Sequence, residues 1–453
     1  MLDGALFKRL GALLACLGLA GASASAQYAG GAGAPADPYL IATAEQMQAI
    51  GAHPQHWSAH FKLTADLDLS AYDGRDGRPA FNIIGPDWSH RFFGVFDGNG
   101  HTLRRFTWSS PGRNYTALFG CIYGANAAVC NLTLLDPNVA AGTGDCAAAL
   151  VGYLQLGTVA DCSVRGGAVR GDWQVASLVA YLDQGLITRC YADAAVAGDG
   201  QDAGGLVGFN NLGQISQCLA TGPVAGNRCV GGLAGRSYAG WIHACRAAAA
   251  VQGDQEVGGL LGRNEPNSAS VQVADCCAAG AVQGQSKLGG LVGRNVGRIA
   301  RCYSTGSVSG QTLLGGLIGV NAGSVSGSFW DIQTSGLDSS AAGQGIPTAL
   351  MQTRGAFLDA GWSFVDDCSG AAGAWRLCRQ GAEYPWLAWQ SHPGDRLCPE
   401  GVDLADFSLL AAAWLSDLGQ PSWNPACDLA PNDRIDVADL ATLLAHWALG
   451  PAR

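Results

Sequence analysis

The sequence predicts an all-β protein, a parallel β-solenoid, followed by a small α-helical domain at the C-terminal end. Glycine accounts for 66 of 453 residues, about twice the usual share, yet 48% of residues are hydrophobic, enough for a large core. A short glycine-rich phrase recurs at even spacing, and a column of cysteines recurs in phase with it. The net charge of −10 and the scattered Lys and Arg make nucleic acid an unexpected partner.

The first 26 residues have the features of a secretory signal peptide. Lys8 and Arg9 precede an apolar run over 10–22, and small residues end at Ala26. We therefore expect a secreted, extracellular or cell-surface protein, cleaved after Ala26. Lipoprotein attachment at Cys16 is the less favoured alternative, because the apolar run before it is short. No other stretch reaches the roughly 18 apolar residues of a membrane span, so none is expected.

The repeated phrase has the pattern small-small-Leu-apolar-Gly, as in Gly289-Gly290-Leu291-Val292-Gly293. Strands this short cannot bury a face alone, so a repeat without helical period is stable only when successive turns stack. The stack places the same position of each turn about 4.8 Å from its predecessor, so the central leucines form one interior column. These leucines are 26 to 32 residues apart, at Leu118, Leu150, Leu178, Leu206, Leu233, Leu260, Leu291 and Leu317.

The cysteines form a second predicted column. Sixteen cysteines in an exported protein would ordinarily indicate disulfides. A column that needs a small apolar side chain favours buried thiols instead. Cys368 with Cys378, and Cys398 with Cys427, are the candidate disulfides away from the column. The column contains Cys130, Cys162, Cys190, Cys218, Cys245, Cys276 and Cys302.

Glycine and asparagine mark the predicted corners of the turns. Glycine is expected to supply positive φ there and, beside the leucine, to let neighbouring sheets approach closely. Asparagine is expected to bond to the asparagine of the next turn. The asparagines at these corners are Asn210, Asn264, Asn295 and Asn321.

Residues 39–331 resemble the GLUG-motif repeat proteins of bacteria, through the Gly-Leu-apolar-Gly core and the phrase Phe96-Asp97-Gly98-Asn99-Gly100-His101-Thr102-Leu103. The resemblance implies a right-handed parallel β-helix on a secreted or surface protein, often in an adhesin-like setting, with no established catalytic residues. We expect 27–110 to form an N-terminal cap and the first coils, and 111–331 the repeats. Residues 332–390 are expected to cap the far end.

A different duplication, with equivalent residues 33 positions apart, occupies 391–453. Each half has a 12-residue acidic loop followed by an amphipathic helical stretch that ends at Trp414 or Trp447. Hard oxygen ligands at this spacing are typical of calcium loops. The alternative is an acidic loop that caps the following helix through Asp403 or Asp436. The second loop offers Asp428, Asn432, Asp436 and Asp439 with the carbonyl of Arg434, and the first retains Asp395, Asp403 and Asp406.

Residues 395–449 resemble type I dockerin domains in a divergent form. The resemblance implies a calcium-folded docking module that binds a cohesin-like partner. The second loop departs from the pattern at Ala430, a ligand position, and at Asp433, where glycine normally makes the turn. The first departs at Leu397 and Pro399.

The expected function is a non-catalytic secreted or surface scaffold for adhesion or polysaccharide contact. The alternative is a carbohydrate-active enzyme, a polysaccharide lyase or glycoside hydrolase on the same fold with a dockerin. A glycosidase needs two carboxylates about 5 to 9.5 Å apart in one groove. Two or more carboxylates converging with a Lys or Arg in one lateral cleft would favour the enzyme.

Overall fold

The structure is a computed structural model that describes most of the chain from residue 27 onward. The predicted signal peptide and Cys16 lie outside the described residues, as do Asp395 and Asp403. The described residues are 27–266, 272–365, 373–390, 402, 404–424, 427–430, 432–445 and 447.

The repeats wind into a parallel β-solenoid of about eight turns, as the sequence predicts. A full turn contributes strands to four long parallel sheets. They are named here sheets I to IV in the order in which the chain passes through them within one repeat, starting after the central leucine. Strands one turn apart pair in register, for example Val179 with Val207 and Ile187 with Ile215. Each outward position therefore forms a column along the side of the solenoid.

The strand bounds among the described residues follow this winding. Sheet I contains Phe119–Tyr123, Val151–Gln155, Val179–Asp183, Val207–Asn211, Ala234–Tyr238, Leu261–Glu265, Val292–Asn295 and Ile318–Asn321. Sheet II contains Tyr39–Ile41, His60–Leu63, Val95–Asp97, Ala128–Cys130, Thr158–Ala160, Leu186–Thr188, Gln214–Ser216, Trp241–His243, Val273–Ala274, Arg298–Ala300 and Ser324–Ser326. Sheet III contains Leu67–Asp68, Thr102–Arg104, Thr133–Leu135, Ser163–Arg165, Tyr191–Ala192, Leu219–Ala220, Arg246–Ala247, Cys277–Ala278, Tyr303–Ser304, Phe329–Asp331 and Gln344–Ile346. Sheet IV contains Thr107–Ser109, Asn138–Ala140, Ala147–Ala148, Ala168–Gly171, Val175–Ala176, Ala195–Gly204, Val224–Gly231, Val251–Gly258, Val282–Gly289, Val308–Ser309 and Thr312–Gly315.

The leucine column lines the interior, as predicted. Leu178, Leu206, Leu233 and Leu260 are completely buried. Burying such a side chain stabilises the fold by roughly 1.5–3 kcal/mol relative to leaving it exposed. Since every turn repeats the contact, the core continues through the length of the solenoid.

The glycines beside the leucines serve close packing, as predicted. A Cβ atom on Gly259 would lie 2.2 Å from the carbonyl oxygen of Gly290 in the next turn. The prediction that glycine supplies the positive φ at the corners is wrong at positions such as Asp161 (φ 54) and Arg189 (φ 51). These two side chains bond each other across one turn, Nε to Oδ1 at 2.7 Å, which offsets the backbone strain.

The cysteine column consists of thiols, as predicted, and all but Cys130 are buried. In six turns the thiol Sγ lies 3.1 to 3.3 Å from the carbonyl oxygen two residues earlier. Ser328 makes the same bond at 2.9 Å in the last turn. The column therefore needs a small side chain that can donate one hydrogen bond.

Away from the column, the two predicted disulfides have different outcomes. Cys378 is disulfide-bonded, and its predicted partner Cys368 lies outside the described residues. Cys427 is a buried thiol, so the structure does not support the predicted bridge to Cys398, itself outside the described part of the chain.

The predicted asparagine stack is present. Asn264 Nδ2 donates to Asn295 Oδ1 at 2.8 Å, and Asn295 Nδ2 donates to Asn321 Oδ1 at 2.8 Å. Asn210 bonds to Ser237 of the next turn at 3.3 Å. These side-chain bonds link successive turns where the chain passes from sheet I to sheet II, although the buried Oδ1 of Asn264 has no partner among the described residues.

The N-terminal residues add helix Ala44–Ala52, whose first turn is capped by Thr43, and two 3-10 turns at Pro54–His56 and Ser70–Tyr72. The strands on either side of helix Ala44–Ala52 belong to sheet II and pair in parallel, Ile41 with Leu63. This segment therefore continues the solenoid while the helix covers part of its core.

Residues 332–390 close the last turn and then pack along the side of the solenoid. Strand Gln344–Ile346 extends sheet III beyond Phe329–Asp331. Further along, Trp375 Nε1 donates to Asp275 Oδ1 at 3.2 Å, and Trp389 Nε1 donates to the carbonyl oxygen of Ala244 at 2.7 Å. The segment therefore extends sheet III by one strand and packs as a lateral buttress against the solenoid. Its remaining elements are the helices Ile332–Ser335, Thr348–Met351 and Arg354–Leu358, the 3-10 turn Ala388–Gln390, and the antiparallel strands Trp375–Arg376 and Trp386–Leu387.

The C-terminal duplication forms two helices, Leu404–Ala412 and Val437–Ala445, around a small core. The buried pairs Leu410 and Leu443, and Val402 and Ile435, occupy equivalent places in the two halves. Apolar contact between equivalent residues follows from the duplication.

Candidate functional site

The most distinctive outward column lies on sheet I, at the position directly after each five-residue phrase. Strand pairing brings the residues of consecutive turns side by side. Three turns carry aromatic rings and the next three carry guanidinium groups. We name this column the ladder face: Tyr153, Tyr181, Phe209, Arg236, Arg263 and Arg294.

The aromatic half of the ladder face is a continuous set of ring contacts. The centroids of Tyr153 and Tyr181 are 4.7 Å apart and their planes are 23° apart. Phe209 meets Tyr181 edge-on at 4.9 Å. Trp88, whose side chain is 42% exposed, meets Tyr153 at 5.1 Å and 86°. The rings are half-buried and offer both apolar edges and hydroxyl groups at the surface.

Asp183 organises the polar groups beside these rings. Its carboxylate accepts hydrogen bonds from Tyr153 Oη at 3.1 Å, Gln155 Nε2 at 2.7 Å and Asn211 Nδ2 at 2.9 Å. Burial raises the pKa of Tyr153, and the charge of Asp183 raises it further. Burial also raises the pKa of Tyr181 to about 12, so both hydroxyls remain protonated donors at neutral pH.

The basic half of the ladder face surrounds two carboxylates. Glu265 accepts from Arg236 at 2.6 Å and from Arg263 at 2.5 Å. Glu256 is completely buried. Its carboxylate lies 3.3 to 3.6 Å from four cationic side chains, those of Arg228, Arg263, Lys287 and Arg294.

Electrostatics keep Glu256 ionised. Burial alone would raise its pKa, but a hydrogen bond from Cys229 and the charges of Arg228 and Arg263 hold the pKa below its ordinary value. A catalytic carboxylic acid needs a raised pKa near the working pH. Glu256 is therefore suited to holding cations in place rather than to donating a proton.

The second predicted calcium loop forms a tight turn. Asp428 accepts from the backbone N–H of Asn432 at 3.2 Å and of Asp433 at 3.1 Å. Asn432 Oδ1 accepts from the N–H of Arg434 at 2.9 Å. Asp433 has φ 62, so it makes the left-handed turn that glycine makes in the usual pattern.

The last two predicted ligands bond to backbone amides. Asp439 is completely buried, and its two oxygens accept from the N–H groups of Leu429, Ala430 and Asp436 at 2.6 to 2.9 Å. Asp436 Oδ1 accepts from Ala438 N at 2.8 Å and so caps the second helix, the alternative role that the sequence predicts.

The predicted ligands of the second loop are oxygen donors, which suits calcium. Among the described residues, no group of three or more His, Cys, Asp or Glu is arranged to hold a metal ion. Calcium binding at this loop would require the carboxylate of Asp439 to give up hydrogen bonds from backbone N–H groups and to bind the metal instead. Of the three predicted ligands in the first loop, the structure describes Asp406, which is buried like Asp439, the equivalent residue of the second loop.

The helices of the C-terminal module expose apolar side chains. Phe407 and Trp414 are each 39% exposed, and with Leu410, Ala411 and Leu440 they line a shallow cavity of about 270 Å³. A patch of this kind on a small module is a candidate contact surface.

Sequence reasoning did not find the ladder face. The signal was available: each ladder residue follows its central leucine by three positions, as Tyr181 follows Leu178 and Arg263 follows Leu260. The type of side chain changes from aromatic to basic along the column, so no single-residue repetition marks it.

Fold and ladder face together define a β-helical repeat scaffold. The GLUG motif family matches residues 284–309. A protein of Evansella cellulosilytica described as a Gly-rich membrane protein is 38% identical over 134 residues, 30% of this chain and 15% of that protein. Halomucin of Haloquadratum walsbyi is 33% identical over 151 residues, 32% of this chain and 2% of that protein. The chain thus spans only a small part of the length of these relatives.

One solved structure is similar in outline. A Bacteroides ovatus protein described as an immunoglobulin A1 protease aligns with a TM-score of 0.42 and 16% identity, over 80% of this chain and 96% of that one. Among the described helices of the present chain, none is long and apolar enough to cross a membrane.

Proposed function

We propose that the protein is a non-catalytic, secreted or cell-surface scaffold that contacts polysaccharide along the side of its β-helix. The aromatic half of the ladder face carries this proposal. Half-buried rings, hydroxyls and amides lie side by side on Tyr153, Tyr181, Gln155 and Asn211, fixed to a rigid sheet. Sugars have apolar C–H surfaces and many hydroxyls, so they suit a surface of this mixed character.

Affinity electrophoresis in gels containing a soluble neutral β-glucan tests this contact. Tyr181→Ala is expected to reduce the retardation of the full chain about tenfold, because it interrupts the ring column at its centre. Trp241→Ala is the matched control, since Trp241 is a 42% exposed aromatic residue on sheet II. Equal retardation of the wild-type protein and Tyr181→Ala would contradict the proposed contact.

The second part of the proposal is attachment through the C-terminal module, acting as a dockerin-like domain toward a cohesin-like partner. The exposed Phe407 and Trp414 and the paired loop-helix arrangement support it. In this proposal calcium binds through Asp428, Asn432, Asp436, Asp439 and the carbonyl of Arg434, and less completely through Asp395, Asp403 and Asp406. Binding would order the loop that presents the helices.

Calorimetric titration of the full chain with calcium tests the ligand set. Asp428→Ala and Asp439→Ala are each expected to abolish the heat signal of calcium binding at the second loop. Asp433→Gly is the matched control, because it removes a carboxylate from the same loop yet supplies the residue that its φ of 62 favours. Calcium uptake that persists in Asp439→Ala would show that the ligand assignment is wrong.

A second candidate function is a polysaccharide-degrading enzyme, because Glu256 and Glu265 converge with several cations on one side of the solenoid. The lowered pKa of Glu256 and the pairing of both oxygens of Glu265 with arginine weigh against it. New reducing ends or unsaturated products from polygalacturonate, lost in Glu265→Gln, would favour the enzyme.

A further inference from the structure

The basic half of the ladder face, together with Arg228 and Lys287 of sheet IV, carries more positive charge than the neighbouring carboxylates balance. Five cationic side chains surround Glu256 and Glu265 in a chain whose net charge is −10. We name them the basic cluster: Arg228, Arg236, Arg263, Lys287 and Arg294. The two carboxylates contribute −2, and Asp202, whose charge interacts with Arg236, contributes a further −1 at neutral pH, so the cluster retains a local excess of two positive charges.

The cluster also retains hydrogen-bond donors. A guanidinium group carries five N–H donors, whereas a carboxylate accepts about four bonds. The Nε atoms of Arg228, Arg263 and Arg294 are buried and have no acceptor among the described residues, so they are not themselves open to a ligand but show that the two carboxylates do not use every donor. These side chains remain partly accessible, with 38% of Arg228, 35% of Arg294 and 26% of Lys287 exposed. Spare donors and spare charge at one exposed place favour an anionic ligand.

The basic cluster is continuous with the rings. The guanidinium carbon of Arg236 lies over the ring of Phe209 at 5.0 Å, so the charged half begins where the aromatic half ends. Five steps of about 4.8 Å give the ladder face a length of roughly 24 Å. An extended polymer can therefore touch both halves at once.

We propose that the ladder face binds an acidic polysaccharide, whose carboxylate or sulfate groups contact the basic cluster while its sugar rings lie along Tyr153, Tyr181 and Phe209. This inference rests on the proposed polysaccharide contact and specifies its ligand class. Glu256 acts as a buried anchor that holds four of the cations in position through contacts of 3.3 to 3.6 Å.

The geometry favours a polysaccharide over a single-stranded nucleic acid. Bases bind to proteins by stacking on exposed ring faces. Tyr153 and Tyr181 stack on each other and Arg236 lies over the ring of Phe209, so these ring faces are already occupied. The cations are confined to one cluster and form no long basic stripe.

Calorimetry of the full chain with polygalacturonate tests the proposal. Arg294→Gln and Arg228→Gln are each expected to weaken binding about tenfold, and raising the salt from about 50 to 500 mM is expected to weaken it further. Arg298→Gln is the matched control, because Arg298 is exposed on sheet II in the same turn as Arg294. Arg294→Lys, which keeps the charge, is expected to retain most of the affinity.

The outcomes separate this inference from the proposed function. If Arg294→Gln and Arg228→Gln fold like the wild-type protein by thermal unfolding and bind polygalacturonate equally well, the acidic-ligand inference is wrong. Polysaccharide contact still holds in that case when Tyr181→Ala weakens binding to neutral β-glucan. Equal or tighter binding of single-stranded DNA would overturn the choice of ligand class, and failure to bind either glycan would overturn both proposals.

Discussion

The ring of Tyr181 lies one turn beyond the ring of Tyr153, with centroids 4.7 Å apart and planes 23° apart. The two residues are directly paired across neighbouring strands of sheet I. Strand spacing therefore sets the distance between the rings, and neither ring needs a loop to hold it. A contact surface built this way is already organised before any ligand arrives.

Close packing of the repeated phrase predicts a strong effect of Gly259→Ala. The new Cβ atom would lie 2.2 Å from the carbonyl oxygen of Gly290, and a backbone atom cannot move aside cheaply. We expect the free energy of unfolding, measured by urea denaturation, to fall by about 1–3 kcal/mol.

Gly355→Ala is the control for that substitution. Gly355 lies in helix Arg354–Leu358 with nothing within 4 Å of its Cβ position, so alanine there is expected to leave stability unchanged or slightly raised. Similar losses in both variants would contradict the packing role of Gly259.

The cysteine column predicts that Cys218→Ser is tolerated better than Cys218→Val. The thiol of Cys218 lies 3.1 Å from the carbonyl oxygen of Ser216, and Ser328 fills the same position in the last turn. Valine has no donor, so that carbonyl keeps only the bond from the backbone N–H of Arg189 at 3.2 Å, and the loss of the second bond costs about 1 kcal/mol. Thermal unfolding of the two variants compares them directly, and a less stable serine variant would show that the hydrogen bond is unimportant.

Two buried thiols of the same column, those of Cys162 and Cys190, are expected to resist thiol reagents. Burial raises the pKa of Cys162 and of Cys190 well above the usual value, so these thiols are neither accessible nor ionised in the folded protein. We expect an aromatic disulfide reagent to label Cys162 and Cys190 only after unfolding in guanidinium chloride. Labelling of Cys190 in the native protein within minutes, detected by mass spectrometry of peptides, would argue against a stable core.

Asp202 predicts a pH dependence of stability. Burial raises its pKa from 3.8 to about 6, although the charge of Arg236 partly opposes the shift. The folded state therefore binds the proton more tightly than the unfolded state. The stability contributed by this protonation is complete below about pH 4 and is lost as the pH rises through 6.

Asp202→Asn removes that dependence. We expect the variant to match the wild-type protein near pH 4 and to be more stable near pH 7, by up to roughly 3 kcal/mol for a shift of about two pKa units. Urea denaturation of both proteins across this range measures the difference. A difference independent of pH would contradict the raised pKa.

The interior of the solenoid could be predicted from the sequence, and much of its exterior could not. Leucine, cysteine and asparagine recur at fixed places because each turn must fill the same space, so Leu260 or Cys245 can be placed without a structure. The buttress could not be placed this way, since Trp375 and Asp275 are separated by 100 positions and belong to no repeat. The basic cluster could not be predicted for a similar reason. Arg228 and Arg294 are far apart in the sequence, and only the stacking of the turns brings both to the carboxylate of Glu256.

The lateral buttress determines how mechanical load enters the protein. If the chain is held at its C-terminal end while a bound polymer pulls on the ladder face, tension does not peel away the last strand first. It reaches the solenoid through Trp389 at Ala244 and Trp375 at Asp275, several turns back from the end.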